Sequence, residues 1–169
     1  MEAVSNLALI AVAMFAGAIA AATGLVMSTY AGVLIGATVI PVWSRHRWSL
    51  PVHFAAGSLG AAVSILELLG HRDPRLNSIG IAAAAMETAI VVGIELLRSD
   101  PVDAALLDGS VGLAARAGGV AAGPAALAIR VFAATSVPAR MAAATLMIAG
   151  SLLTRFAWFA AGRRSVDNR

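Results

Sequence analysis

Residues 4–43 read VSNLALIAVAMFAGAIAAATGLVMSTYAGVLIGATVIPVW and carry no charged side chain. A membrane-spanning helix needs about 20 mostly apolar residues, because each residue rises about 1.5 Å through a hydrocarbon layer about 30 Å thick. This stretch is too long for one upright span, and it lacks the polar loop residues of a helical hairpin. It predicts one long, tilted or kinked helix over 5–40, with Pro41 and Trp43 marking its exit at the membrane interface. The alternative is two spans meeting near Thr23-Gly24. A secretory signal peptide is not expected: Glu2 stands where a positive charge belongs, and the apolar run continues far past Ala18-Ile19-Ala20.

Four further stretches have the same character. Residues 50–69 open on Leu50-Pro51, and a proline in the first turn of a helix loses no hydrogen bond. Gly70 then stops the helix. Residues 76–97 form the third span. Residues 110–133 form the fourth, with Pro124 in the interior predicting a kink whose freed carbonyl must be satisfied by neighbouring helices. Residues 138–161 form the fifth. The connections 44–49, 71–75, 98–109 and 135–137 are short and polar. The expected fold is all-α: a polytopic transmembrane helical bundle of five spans forming one integral membrane domain over residues 1–169.

Composition agrees. The chain is 60% hydrophobic and 12% charged, with mean hydropathy +0.87. Soluble domains are about 45–50% apolar and about 25% charged. All 12 basic residues are Arg, and the net charge is +3. They are scattered over loops and helix ends, without the basic stripe that phosphate binding requires, so no nucleic-acid partner is expected. The absence of Cys excludes a disulfide framework and any Cys-ligated zinc or iron–sulfur centre within the chain.

The Arg distribution sets an orientation. Arg72, Arg75 and Arg140, with Arg130 near a helix end, fall on one side. Arg45, Arg47, Arg98, Arg163, Arg164 and Arg169 fall on the other. The positive-inside rule places the second group, and the C-terminus, in the cytoplasm, with the chain integral to the cell's inner membrane. Gly32-xxx-Gly36 and Gly119-xxx-Gly123 are small-residue motifs that let helices approach closely, and packing within one bundle explains them more simply than dimerisation.

Charges inside spans are costly in hydrocarbon, so they mark either structural ion pairs or a functional path. Glu87 lies near the centre of the third span without an obvious partner at its depth, as expected of a protonated carboxyl or part of a proton route. Glu95, Arg116 and Arg155 fall at a similar depth in the cytoplasmic third and predict a cluster in which Glu95 contacts one or both guanidiniums. Glu67 reads as a helix-end carboxylate reaching the interface. His53 opens the second span and reads as interfacial. Tyr30, the only Tyr, needs a hydrogen-bond partner or a ligand oxygen. Trp43, Trp48 and Trp158 suggest an aromatic belt. With one His inside a span, the chain is not expected to hold a haem, and no metal ligand set or self-contained catalytic residues are expected.

Two strings resemble a known family. Ser28-Thr29-Tyr30-Ala31-Gly32-Val33-Leu34, followed by Ala37-Thr38-Val39-Ile40-Pro41-Val42-Trp43, is similar to a segment of the NrfD-type polysulfide reductase membrane subunits, although Ala31 stands where the family usually has Thr. Leu50-Pro51 and Ala55-Ala56-Gly57-Ser58 resemble the start of the following span. Ala149-Gly150-Ser151-Leu152-Leu153-Thr154-Arg155-Phe156, with Phe159 and Ala161-Gly162, resembles the family's C-terminal ending. Glu87 and Glu95 fall where the family carries Glu.

The resemblance implies a membrane anchor of a multi-subunit oxidoreductase, embedded in membrane lipid. Such an anchor passes electrons between menaquinone or ubiquinone and a ferredoxin-like iron–sulfur subunit, often joined by a molybdopterin catalytic subunit. It holds no metal or covalent cofactor itself. Tyr30 and His53 become the candidate quinone-binding residues. The family's further spans ahead of the first matching segment imply that this chain corresponds to the C-terminal part, as a truncated or split subunit. A small multi-pass transporter or a membrane scaffold without a redox role is the competing expectation.

Overall fold

The computed structural model describes residues 2–97 and 101–167. Among them there is no strand, and five helices are long and apolar enough to cross a membrane. The first, α1, is Glu2–Gly36, about 52 Å at 1.5 Å per residue. It is continuous through Thr23-Gly24, so the two-span alternative does not apply. The Thr23 hydroxyl donates back to the Ile19 and Ala20 carbonyls and adds no break. The helix ends at Gly36, a little earlier than expected, and Pro41 starts a separate short helix, α2, Pro41–Arg45.

The other spans fall close to their expected bounds. Helix α3 is Ser49–Leu68. Gly70 follows it at φ +98, a left-handed conformation that suits glycine and closes the helix. Helix α4 is Pro74–Leu96, its N-terminus capped by Asp73, whose carboxylate accepts from the Arg75 amide. The fourth rod has three parts: α6 Gly109–Val120, a π-helical turn Ala121–Ala125 containing Pro124, and α7 Ala126–Phe132. Pro124 therefore widens the helix locally, as a missing amide and a crowded ring require. Helix α8 is Val137–Asp167 and runs six residues past its expected end at 161.

The connection expected as a plain loop over 98–109 is partly ordered. A 3-10 turn, Pro101–Asp103, leads into α5, Ala104–Leu107. Arg98 lies outside the described residues. With α2, this connection folds over the end of the bundle formed by the start of α3 and the end of α8. Val42, Leu50, Phe54, Leu106, Leu107, Val111, Ala157, Trp158 and Ala161 form one buried cluster there. A second cluster, Ala83, Ala84, Ala122, Ala126 and Met147, joins α4, α8 and the π turn.

Small residues set the helix spacing. A Cβ on Gly32 would lie 2.6 Å from the Pro51 Cα, and one on Gly36 would lie 2.9 Å from the Arg47 Cα. Both faces of Gly119 and Gly123 meet α4, at Val91 and Thr88. These motifs pack helices within one bundle. Toward its N-terminus α1 leaves the bundle's core contacts: residues 6–27 are all exposed, and they are apolar around the whole helix. Such a surface is stable only in lipid or against another apolar chain.

Candidate functional site: a buried acid–imidazole pair

Seven of the charged and imidazole side chains inside the bundle fall into three groups, arranged from one end to the other. The central group is the least expected. His53 from α3 and Glu87 from α4 meet with Nδ1 2.9 Å from Oε2, and both side chains are buried. The contact is close, but its angle is not that of a hydrogen bond. His53 Nδ1 and both Glu87 oxygens thus lack a hydrogen-bond partner. The expectation that Glu87 has no partner at its depth is corrected, and so is the reading of His53 as interfacial. His53 is one turn into α3, but α2, α5 and Trp158 cover that end and place the imidazole inside. Gly57 and Ser151 complete the surroundings: a Cβ on Gly57 would come within 3.1 Å of Glu87 Oε1.

A pocket of about 30 Å³ lies on the far side of His53, walled by Ile90, Ile94, Thr154 and Trp158 and reaching Glu95 and Arg116. A buried site needs only about 10–15 Å³ of such space to hold a water molecule, so this one is large enough for one. A wider pocket of about 330 Å³ adjoins it, sharing Ile90 and Ile94, and is lined by Arg45, His46, Ser49 and Asp103. Asp103 is 2% exposed. It accepts from Arg45 Nε at 3.2 Å, and His46 Nε2 lies 3.0 Å away. The Trp158 ring stands between the two imidazoles, 5.2 Å from His46 and 6.3 Å from His53. Asp103 and His46 both lie in connections between spans, where the sequence gives no sign of a role.

The expected three-membered cluster is only partly assembled. Arg116 Nε and Nη2 both reach the Glu95 carboxylate, the second at 3.3 Å. Arg155 does not join them. Its Nη2 donates to Ser58 Oγ at 2.8 Å and to the Phe54 carbonyl at 3.4 Å, and its guanidinium lies 4.9 Å from the Phe54 ring centroid. Counting residues along helices gives an expected depth but not the azimuth, which turns Arg155 toward α3 and Arg116 toward α4.

The third group is at the opposite end. Glu67, expected at the interface, is fully buried. Arg130 Nη2 lies 2.8 Å from its Oε2, and Arg140 donates Nε to its Oε1 at 3.1 Å. Arg130 is itself fully buried and also reaches Ser64 Oγ and Asn77 Oδ1. The Asn77 amide donates to the Arg130 carbonyl, and Gly80 leaves the space that the guanidinium fills. Two cations on one carboxylate fix α3, α4, α7 and α8 together. Sequence position hid this group, because Glu67, Arg130 and Arg140 each sit near a helix end.

Tyr30 is 56% exposed, and no hydrogen bond of its hydroxyl is seen among the described residues. Beneath α1 is a gap of about 610 Å³ between α1, α3 and α4, lined by small apolar residues such as Ala21, Gly24 and Ala55 together with Ser28 and Ser58. Ser58 therefore touches both this gap and Arg155. The aromatic belt is divided: Trp48 is 79% exposed, Trp158 is buried, and the Trp43 indole N–H donates to the Trp158 carbonyl. Among the described residues no group of three or more His, Asp and Glu side chains could hold a metal ion. No family model, curated protein or solved structure matches this chain.

Proposed function

We propose that this chain is the membrane subunit of a multi-subunit oxidoreductase, exchanging electrons between the quinone pool and an iron–sulfur partner subunit. The observation that carries the reading is the buried His53–Glu87 pair with its unsatisfied polar atoms. Quinone reduction and oxidation move protons with electrons, so a membrane subunit handling quinone needs protonatable groups held at depth. Buried ionisable residues with no structural partner set are expensive in hydrocarbon and mark function. The Glu67 carboxylate, by contrast, is held between two guanidiniums, as a structural ion pair is.

The residues present fit a quinone. A gap of about 610 Å³ is within the range of about 300–1,000 Å³ typical of small-molecule sites, and it is apolar with few polar groups, as an isoprenoid tail requires. Ser58 in its wall, which accepts from Arg155, supplies a hydroxyl donor for a carbonyl oxygen. The bound quinone supplies the redox chemistry. The chain's own part is to seat it, to exclude water with the Ala-rich walls, and to hold protons on His53 and Glu87. On this placement His53 rather than Tyr30 serves the site.

The proposed setting is the inner membrane with the C-terminus in the cytoplasm. The orientation rests on the uneven distribution of Arg between the two sets of connections. An iron–sulfur partner, with or without a molybdopterin subunit, would dock on the cytoplasm-facing or opposite end according to its own compartment. Purification in mild detergent tests the proposal: iron and acid-labile sulfide should accompany the chain in a stoichiometric complex. Quinol turnover by that complex should fall in His53→Gln and Glu87→Gln and hold in Tyr30→Phe. A chain that purifies alone from its native membrane, with no quinone-dependent activity, overturns it.

A further inference from the structure

The polar interior is built asymmetrically between the two ends of the bundle. From the end that carries α2, the pocket of Arg45, His46 and Asp103 leads past Ile90 and Ile94 to the water-sized pocket beside His53. From His53 the next polar group is Glu87, 2.9 Å away. Toward the other end, the bundle's core is filled. Met147 is completely buried, and a Cβ on Gly60 would meet its sulfur and methyl group. Beyond it the Glu67 carboxylate is closed by Arg130 and Arg140. One face is a chain of pockets and titratable groups; the other is a hydrophobic plug backed by an ion-paired lock.

We propose that His53 and Glu87 form the inner terminus of a one-sided proton path that opens only to the face carrying His46 and Asp103. The inference does not depend on the quinone reading and requires no redox partner. The unpartnered atoms give it a second footing. Buried polar groups are almost always hydrogen-bonded, and an exception calls for an explanation such as a water molecule or a functional role. His53 Nδ1 and the two Glu87 oxygens are such atoms, and unlike Glu67 Oε2 and Arg130 Nε they have no full charge of opposite sign from an arginine beside them.

The groups facing the pair are few. On α3 and α4 they are the two residues themselves; from α8 come Ser151, Thr154 and Trp158, none of which titrates in the ordinary range. Glu95 and Arg116 stand at the lateral rim of the pocket and neutralise each other. Arg155 is turned away to Ser58 and Phe54. A proton therefore enters from water on the imidazole nitrogen facing the pocket. A turn of the imidazole that brings its Nδ1–H into line with the Glu87 carboxylate then lets that proton pass, leaving a neutral imidazole and a neutral carboxyl. Return runs the same steps backward, so charge and proton number balance at each transfer.

The chain has no Cys, which makes single-cysteine variants clean reporters. Silver ion, close to water in size, is applied as its nitrate to sealed vesicles of either orientation, and protected thiols are counted by alkylation after unfolding. Ser44→Cys and His71→Cys mark the two faces. Thr154→Cys and Ile90→Cys report on the path, and Ser64→Cys reports on the plugged end. The expected result is silver protection at positions 154 and 90 only from the side that reaches Ser44→Cys, with position 64 unreactive from both. Reaction of positions 154 and 90 from the His71→Cys side, from both sides alike, or from neither overturns the path. Infrared difference spectra on a pH jump supply an independent check. The wild-type chain should show a carboxyl band that is lost in Glu87→Gln and slowed when Ile94→Trp fills the wall shared by the two pockets. A band that persists in Glu87→Gln, or one whose rate Ile94→Trp leaves unchanged, counts against it.

Discussion

Replacing Glu67 by Gln is the most damaging conservative substitution that the bundle offers. Glu67 is fully buried and holds two guanidiniums, one of them, Arg130, also fully buried. Gln keeps the shape and one acceptor oxygen but removes the charge, stranding two cations together where one anion had stood between them. Breaking a buried ion pair by removing one partner costs about 3–5 kcal/mol, against a total stability of about 5–15 kcal/mol for a typical domain. The asymmetry within the cluster is the sharper test. Arg130→Gln leaves one carboxylate on one guanidinium, a balanced pair, and Ser64 and Asn77 remain to bond the new amide. It should cost less than Glu67→Gln, although the cluster loses a member in both. Equilibrium unfolding in mild detergent, followed by helix content and by accessibility of a reporter cysteine, measures both. Glu67→Gln within about 1 kcal/mol of the wild type would show that the cluster contributes far less than a buried ion pair should. Arg130→Gln more harmful than Glu67→Gln would show that packing of the long side chain outweighs charge balance.

Three further substitutions separate the forces in other parts of the bundle. Glu95→Gln acts on a half-exposed pair and should unfold close to the wild type, well above Glu67→Gln in the same assay; equal loss in the two would mean that the surface pair is structural. Gly32→Ala puts a methyl group 2.6 Å from the Pro51 Cα, so α1 must move off α3 at a cost of about 1–3 kcal/mol, typical of overpacking; a cysteine cross-link between the two helices should form more slowly. Trp43→Phe removes the indole donor to the Trp158 carbonyl and should cost about 0.5–1.5 kcal/mol, with the tryptophan fluorescence of the remaining residues reporting any opening of the α2 end.

Much of the architecture is legible in the residues because hydrocarbon imposes a single rule on every span. Backbone polar groups must be satisfied within the segment, so about 20 apolar residues mean a helix, whatever their order. That rule finds α3, α4, the α6–α7 rod and α8, and Pro124 marks the π turn through its missing amide. It fails where the chain is shaped by packing against itself. The segment 101–107 is polar at one end and short, and nothing in its composition says that Leu106 and Leu107 will be buried over the bundle's end. With that cover unforeseen, His53 looked interfacial.

The polar interior was harder to read for a geometric reason. Depth along a helix follows from counting, but contact also needs azimuth, and a helix turns about 100° with each residue. Glu95, Arg116 and Arg155 share an expected depth and differ in azimuth, so only the first two meet. His53 and Glu87 pair although His53 seemed to belong to the interface, and Glu67 draws in Arg130 and Arg140 from two other helices. A usable signal did exist. A buried carboxylate requires compensation, and the spans hold more Arg than acidic residues, so each in-span Glu is expected to find a cation or an imidazole. On that rule Glu67 takes arginines, Glu95 takes Arg116, and Glu87 is left with the one histidine within a span. The chain thus satisfies two of its three in-span glutamates with full charges and gives the third a partner that can hand a proton back. That difference in partner, more than the depth of any single residue, separates the structural acids from the one suited to move protons.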